Sequence, residues 1–162
     1  MAAVPSSSVI TLPWTLAGTP SGTVTVIAAR LPLRSVRSLP ATLARTWRLR
    51  RALRDAPGLA GYAFAFQISG SAMWTVSAWT SRTDLTAFEH SDPHRAAKID
   101  LQARLRPATF AVWSCPAAQL PVPWPEVRRR ILAGTRTRQS CRRDTPPSEA
   151  SLSAATTTEE TR

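Results

Sequence analysis

Asparagine is absent from this chain, lysine occurs once, at Lys98, and cysteine twice, at Cys115 and Cys141. Two cysteines cannot build a disulfide framework or a four-cysteine metal site. No window approaches the roughly 18 consecutive apolar residues of a membrane span. The opening MAAVPSSSVITLPW carries neither the basic start nor the uninterrupted apolar run of a secretory signal. A cytoplasmic protein without a membrane partner is the expectation. Gly-rich phosphate loops, a Ser-His-Asp set and a carboxylate pair are also missing.

What is present is a globular composition, with 43% apolar residues in a chain of 162, enough for one ordinary domain plus tails. The net charge of +11 invites an anionic partner. Its cations are nearly all arginine, however, a skew that compositional bias alone produces, and many fall on one predicted helix as its solvated face. Nucleic acid is therefore the weaker partner reading. An arginine-rich binder using Arg37 to Arg54 and Arg136 to Arg143 is kept as a further alternative.

Residues 1–21 are rich in Ser, Pro, Thr and Gly without a clear period and read as a flexible arm whose VITLPWTL could pack. Residues 134–162, basic and then polar, offer almost nothing to bury and read as disordered. Between them, in 22–133, the periods alternate. TVTVIAARL (23–31) is β-branched and predicts a strand. A helix follows, with Pro40 in its first turn, Pro57-Gly58 at its end, and Leu39, Leu43, Trp47 and Leu53 as its apolar stripe. In GLAGYAFAFQI (58–68), Tyr62, Phe64, Phe66 and Ile68 share one face. Ser69-Gly70-Ser71 turns the chain into AMWTVSAW (72–79). Ser81 or Thr83 can cap a short helix carrying Leu85 and Phe88, and Pro93 starts a second one with His94, Ala97, Leu101 and Leu105 on one stripe. ATFAVWSC (108–115) is a further strand, and PWPEVRRRIL a short basic helix.

The order β-α-β-β-α-β is the ferredoxin-like split βαβ pattern, an α+β fold with one four-stranded antiparallel sheet and its helices on a single face. The other face would stay bare, so a second copy is expected to cover it, giving a homodimer.

PGLAGYAFAF, the hairpin, TVSAWTSRTDLTAFEHSDPHRAA and FAVW together resemble the dimeric α+β barrel superfamily, in particular the antibiotic-biosynthesis-monooxygenase-like domains and their uncharacterised relatives. Trp79, Leu85, Phe88, Ser91 and His94 carry the likeness. It implies a dimeric α+β barrel with a ligand pocket between sheet and helices, and an oxidoreductase that oxygenates an aromatic or polyketide-like substrate. A non-catalytic ligand-binding or accessory domain of the same fold is the alternative. Cofactor-free members hold substrate with Asn and Trp, and this chain has no Asn. Haem-degrading members carry an iron-ligating His near the place of Lys98, one turn beyond His94. The expected cofactor is none, with haem on His94 left open.

His94 is the candidate catalytic residue, a polar group on an apolar stripe that can act as base or orient a substrate hydroxyl. The structural alternative is a half-buried His bonded to backbone. Trp79 shares its strand face with Thr75 and Ser77, and Trp113 with Ala111; small residues beside large aromatics leave room for a planar, apolar ligand. Phe88 and Arg30 complete the candidate substrate-binding set, Arg30 reaching for an acidic group. His90 and His94 have the spacing of a helical metal pair, but Pro93 interrupts the helix between them and no metal is expected.

Overall fold

The computed structural model describes residues 9–143, with side chains as far as residue 134. Six strands form one antiparallel sheet. In chain order these are β1 (Val9–Thr11), β2 (Thr15–Leu16), β3 (Thr23–Pro32), β4 (Leu59–Gln67), β5 (Ala72–Trp79) and β6 (Thr109–Pro116). The long strands lie in the order β4-β5-β3-β6, with β1 and β2 along the outer edge of β4. Four helices accompany them: α1 (Leu39–Arg54), α2 (Arg82–Glu89), α3 (Asp92–Gln102) and α4 (Trp124–Arg143). The architecture is the α+β, ferredoxin-like one, with six strands where four are expected from sequence.

Two stretches read from sequence as lying outside the domain carry regular backbone. Val9–Thr11 pairs with Gln67–Ala65, and Thr15–Leu16 with Tyr62–Gly61. This closes part of the edge that β4 would otherwise expose. At the other end α4 continues to Arg143, well past the short helix ending near residue 133. The flanking residues 1–8 and 144–162 of the predicted arm and tail lie outside the described residues.

Register separates the sheet into two faces. On one, Tyr62, Phe64 and Phe66 of β4 stand with Met73 and Trp79 of β5, and Leu53 of α1 and Leu85 of α2 pack onto them. On the other, Val24, Val26 and Ala28 of β3 lie with Val76 and Ala78 of β5 under Val127 and Ile131 of α4. Trp14, Trp113 and Trp124 pack against this second core. The expectation of a bare second face is thereby corrected: the chain covers it with its own last helix. Among the described side chains of α4 only Val127 and Ile131 are fully buried, an i, i+4 pair that among so many arginines left no visible stripe.

Helix α1 also sits differently from the expected stripe. Thr42 and Thr46 are buried, while Leu43 and Trp47 are exposed, Trp47 at 61%. The threonines are tolerated inside because each hydroxyl donates to the carbonyl four residues back, Thr42 to Ser38 at 2.8 Å and Thr46 to Thr42 at 2.9 Å. Trp47 lies outside under the Arg50 guanidinium, 5.0 Å from its ring centre.

Candidate functional site

The turn that presents His94 is built by local hydrogen bonds. Ser81 caps α2, its Oγ accepting from the Asp84 amide at 3.1 Å and donating to Asp84 Oδ2 at 2.6 Å. Gly58, just before β4, has φ +73°, and a Cβ there would collide with the Asp84 side chain. That close approach seats the start of α2 on the sheet. At the far end of α2 the Ser91 hydroxyl donates to the Phe88 carbonyl at 2.6 Å. Pro93 occupies the first turn of α3. His94 then joins the two helices, its Nδ1 lying 3.0 Å from the Glu89 carbonyl oxygen. A carbonyl only accepts, so Nδ1 carries the proton and Nε2 keeps its lone pair when the ring is neutral.

From His94 an aromatic chain runs inward. Its ring packs on Phe88 at 5.4 Å between centres, and Phe88 on Trp79 at 5.1 Å. Trp79 is fully buried, and its Nε1 donates to Ser77 Oγ at 3.0 Å. Ser77 stands opposite Ile27 of β3, and Ile27 opposite Val112 of β6. On the same face of β6, Phe110 and Val112 are 44% and 43% exposed. One side of the sheet thus presents His94, Phe88, Trp79 and Ser77 at one end of an apolar surface that opens along β6. Sequence reasoning counted Ser77 only as a small neighbour; its bond to Trp79 follows from their being two apart on one strand.

The other two predicted binding residues belong elsewhere. Trp113 stands opposite Val26, on the α4 face, with the Arg130 guanidinium 4.7 Å from its ring centre. Arg30 pairs with Trp74 on that same face, 5.5 Å from its ring centre. Arg128 of α4 also packs on Trp74, at 5.7 Å. Trp79 and Trp113 therefore do not share a cavity wall; β3 separates their strands, and their side chains leave the sheet in opposite directions. The Trp74 contacts had no local signal: Arg30 reaches it through the pairing of β3 with β5, and Arg128 from α4, which lies far from β5 in sequence.

His90 is exposed at the C-terminus of α2, with Nδ1 2.8 Å from the Thr86 carbonyl oxygen. Each imidazole thus takes a backbone carbonyl of its own. Among the described residues no group of three or more His, Cys, Asp or Glu gathers to hold a metal ion. Lys98, near the place of the iron ligand in haem-degrading proteins, is exposed and offers no imidazole. That position does not fit a haem ligand. Burial pushes the Cys115 thiol up, opposed by the nearby Arg130 charge, so it is a packed residue and a poor nucleophile. Hydrogen bonds from Arg129 and Arg130 pull the Glu126 carboxyl below its ordinary range.

Solved structures share this fold. A candidate antibiotic biosynthesis monooxygenase from Nitrosomonas europaea superposes with a TM-score of 0.55 at 11% identity, covering 64% of this chain and 97% of that one. The fold is that of the antibiotic-biosynthesis-monooxygenase-like proteins. A heme-degrading enzyme from Listeria monocytogenes has it too, with a TM-score of 0.52 at 15% identity over 70% of this chain and 74% of that one. So does a dimeric ferredoxin-like protein of unknown function from Thermobifida fusca, with a TM-score of 0.51 at 14% identity over 59% and 94%. No family model and no curated protein matches the chain. Identities this low carry the fold and not the activity. Among the described residues, no helix is long and apolar enough to cross a membrane.

Proposed function

We propose that the protein is a monooxygenase-like protein that binds an aromatic or polyketide-like ring between α2, α3 and the sheet, and oxygenates it with dioxygen. The observation that carries this reading is the free Nε2 of His94, half-buried beside the apolar pair Phe88 and Trp79. A phenolic hydroxyl at that position donates to Nε2. Taking up its proton leaves an electron-rich ring, the form that reacts with dioxygen. For an anthrone-like substrate the ring CH2 becomes C=O, and the second oxygen atom leaves as water. The half-buried Phe88 would orient the ring by stacking, with the buried Trp79 behind it. Trp113 and Arg30 play no part in this pocket.

A second reading, a non-catalytic ligand-binding domain of the same fold, is favoured by one specific contact. The bond from His94 Nδ1 to the Glu89 carbonyl is what a purely structural histidine joining two helices would also make. Oxygen uptake with anthrone-like compounds separates the two. His94→Ala should lower the rate by about 100-fold or more, the ordinary contribution of a positioned base. An unchanged rate removes His94 from the mechanism, and binding without uptake favours the second reading.

Assembly as a homodimer is part of the proposal. With α4 over one face, an apolar surface open to a second copy is that of Phe110 and Val112 on the outer strand β6. Sedimentation tests it: a monomer at all concentrations removes the dimer from this reading.

A further inference from the structure

Arginines remote in sequence converge where β3 ends. Leu33, just past the strand, forms a bridge with Leu105, just past α3. Around it the Arg34 amide donates to the Arg104 carbonyl at 2.9 Å, and the Arg106 amide to the Pro32 carbonyl at 2.8 Å. The Arg34 guanidinium reaches across as well, its Nε donating to the Leu105 carbonyl at 3.0 Å. Leu33 and Leu105 turn inward, which leaves Arg34, Arg104 and Arg106 exposed side by side. The turn leading into α1 adds Arg37, also exposed.

These four cations have no acidic partner among the described residues. The ion pairs there join Arg45 to Asp100 and Arg129 and Arg130 to Glu126. A backbone-fixed group of like charges without an acid is self-repelling until an anion covers it. We propose that Arg34, Arg37, Arg104 and Arg106 form a docking surface for the phosphate backbone of a nucleic-acid duplex. Guanidinium forks match phosphate oxygens two at a time, and several phosphates in a row satisfy several arginines at once. Val36 is the one large apolar side chain exposed in these two segments. A membrane surface asks for a broad apolar face beside the charges, which is not there. Contacts of this kind position a duplex without reading its sequence.

The surface is separate from the proposed ring-binding site. Trp79 stands opposite Thr25, whereas the arginines gather beyond Pro32, seven residues along β3, a separation of about 23 Å in a strand. The sequence reading put nucleic acid behind other partners because the arginines formed one helix face. Here Arg37 is joined by Arg34, Arg104 and Arg106, which come from two other segments and are held together by tertiary hydrogen bonds.

The test is fluorescence anisotropy of a short labelled duplex with the full chain as salt is raised. Arg34 is left in place, since its side chain also ties the two segments together. Arg37→Gln/Arg104→Gln/Arg106→Gln is compared with Arg48→Gln/Arg51→Gln/Arg54→Gln, an equal charge change on the exposed side of α1. Each lost phosphate contact lowers the salt slope by about 0.9, so the first variant should lose about 2.7 from its slope. Between about 50 and 200 mM salt its affinity then falls about 40-fold less than that of the unaltered protein. The α1 variant should keep the original slope. Equal slopes for both variants, an unchanged slope in the first, or no binding of duplex by the unaltered chain would each overturn the proposal. So would binding of phosphatidylserine vesicles without duplex binding. Should the triple variant fail to fold by circular dichroism, Arg104→Gln and Arg106→Gln singly must each show a loss of about 0.9.

Discussion

Replacing Ile131 by alanine tests the feature that most changes the expected architecture, the packing of α4 on its own sheet. Ile131 is 1% exposed and lies in the core with Val24, Val26 and Val76. Ile→Ala removes three carbons, about 2.4 kcal/mol at roughly 0.8 per buried methylene. The cavity left in a rigid core adds to that, for a total of about 3–4 kcal/mol. The neighbouring Leu132 is 56% exposed, and Leu132→Ala should cost no more than about 0.5 kcal/mol. Urea unfolding of the two variants, followed by circular dichroism, gives both numbers. The contrast is sharp because the residues are adjacent, have similar helix propensity and differ mainly in which way they point. A loss below about 1 kcal/mol for Ile131→Ala would refute the docking of α4. The second sheet face would then be free for a partner, as the sequence alone suggested.

Further outcomes follow from burial and charge. Trp79→Ala should cost about 3–5 kcal/mol in the same assay, as expected for a buried aromatic. Trp47→Ala should cost about 1 kcal/mol or less, because that ring is largely in water and loses chiefly its contact with Arg50; the reverse order would restore the stripe read from the sequence. Cys115 should resist alkylation in the native protein and react on unfolding, as read by mass spectrometry of its peptide. Since the folded thiol titrates above the unfolded one, its contribution to stability is intact below the ordinary thiol range and lost as pH rises through the folded value. Cys115→Ser should remove that alkaline decline, and an unaltered decline would show that another group causes it.

Much of the fold was legible because its signals are local. Alternation and a β-branched run located the four long strands to within a residue or so, and Pro40, Pro57-Gly58, the choice of Ser81 or Thr83, and Pro93 placed the helix ends where their backbone chemistry requires. The stripe His94, Ala97, Leu101 and Leu105 was also visible, and it runs along the less exposed side of α3 and its end. Helix α1 misled because Thr42 and Thr46 count as polar in any pattern, yet they satisfy their hydroxyls within the helix and can face the core. Of the candidate site, Trp79, Phe88 and His94 lie close in sequence and are brought together. Trp113 was assigned by parity within its own strand, which cannot say which face one strand shares with another, and Arg30 by its place near the end of the first strand.

By itself, then, the sequence determined the element order, the split βαβ connectivity and the turn that presents His94, since propensity, period and capping act over a few residues. The tertiary structure alone decided which sheet face each aromatic meets, that α4 covers the second face, and that Arg34, Arg104 and Arg106 converge. Those outcomes depend on strand register and long-range packing, whose free energy is shared among residues about 70 positions apart, as in the Arg34–Leu105 contact.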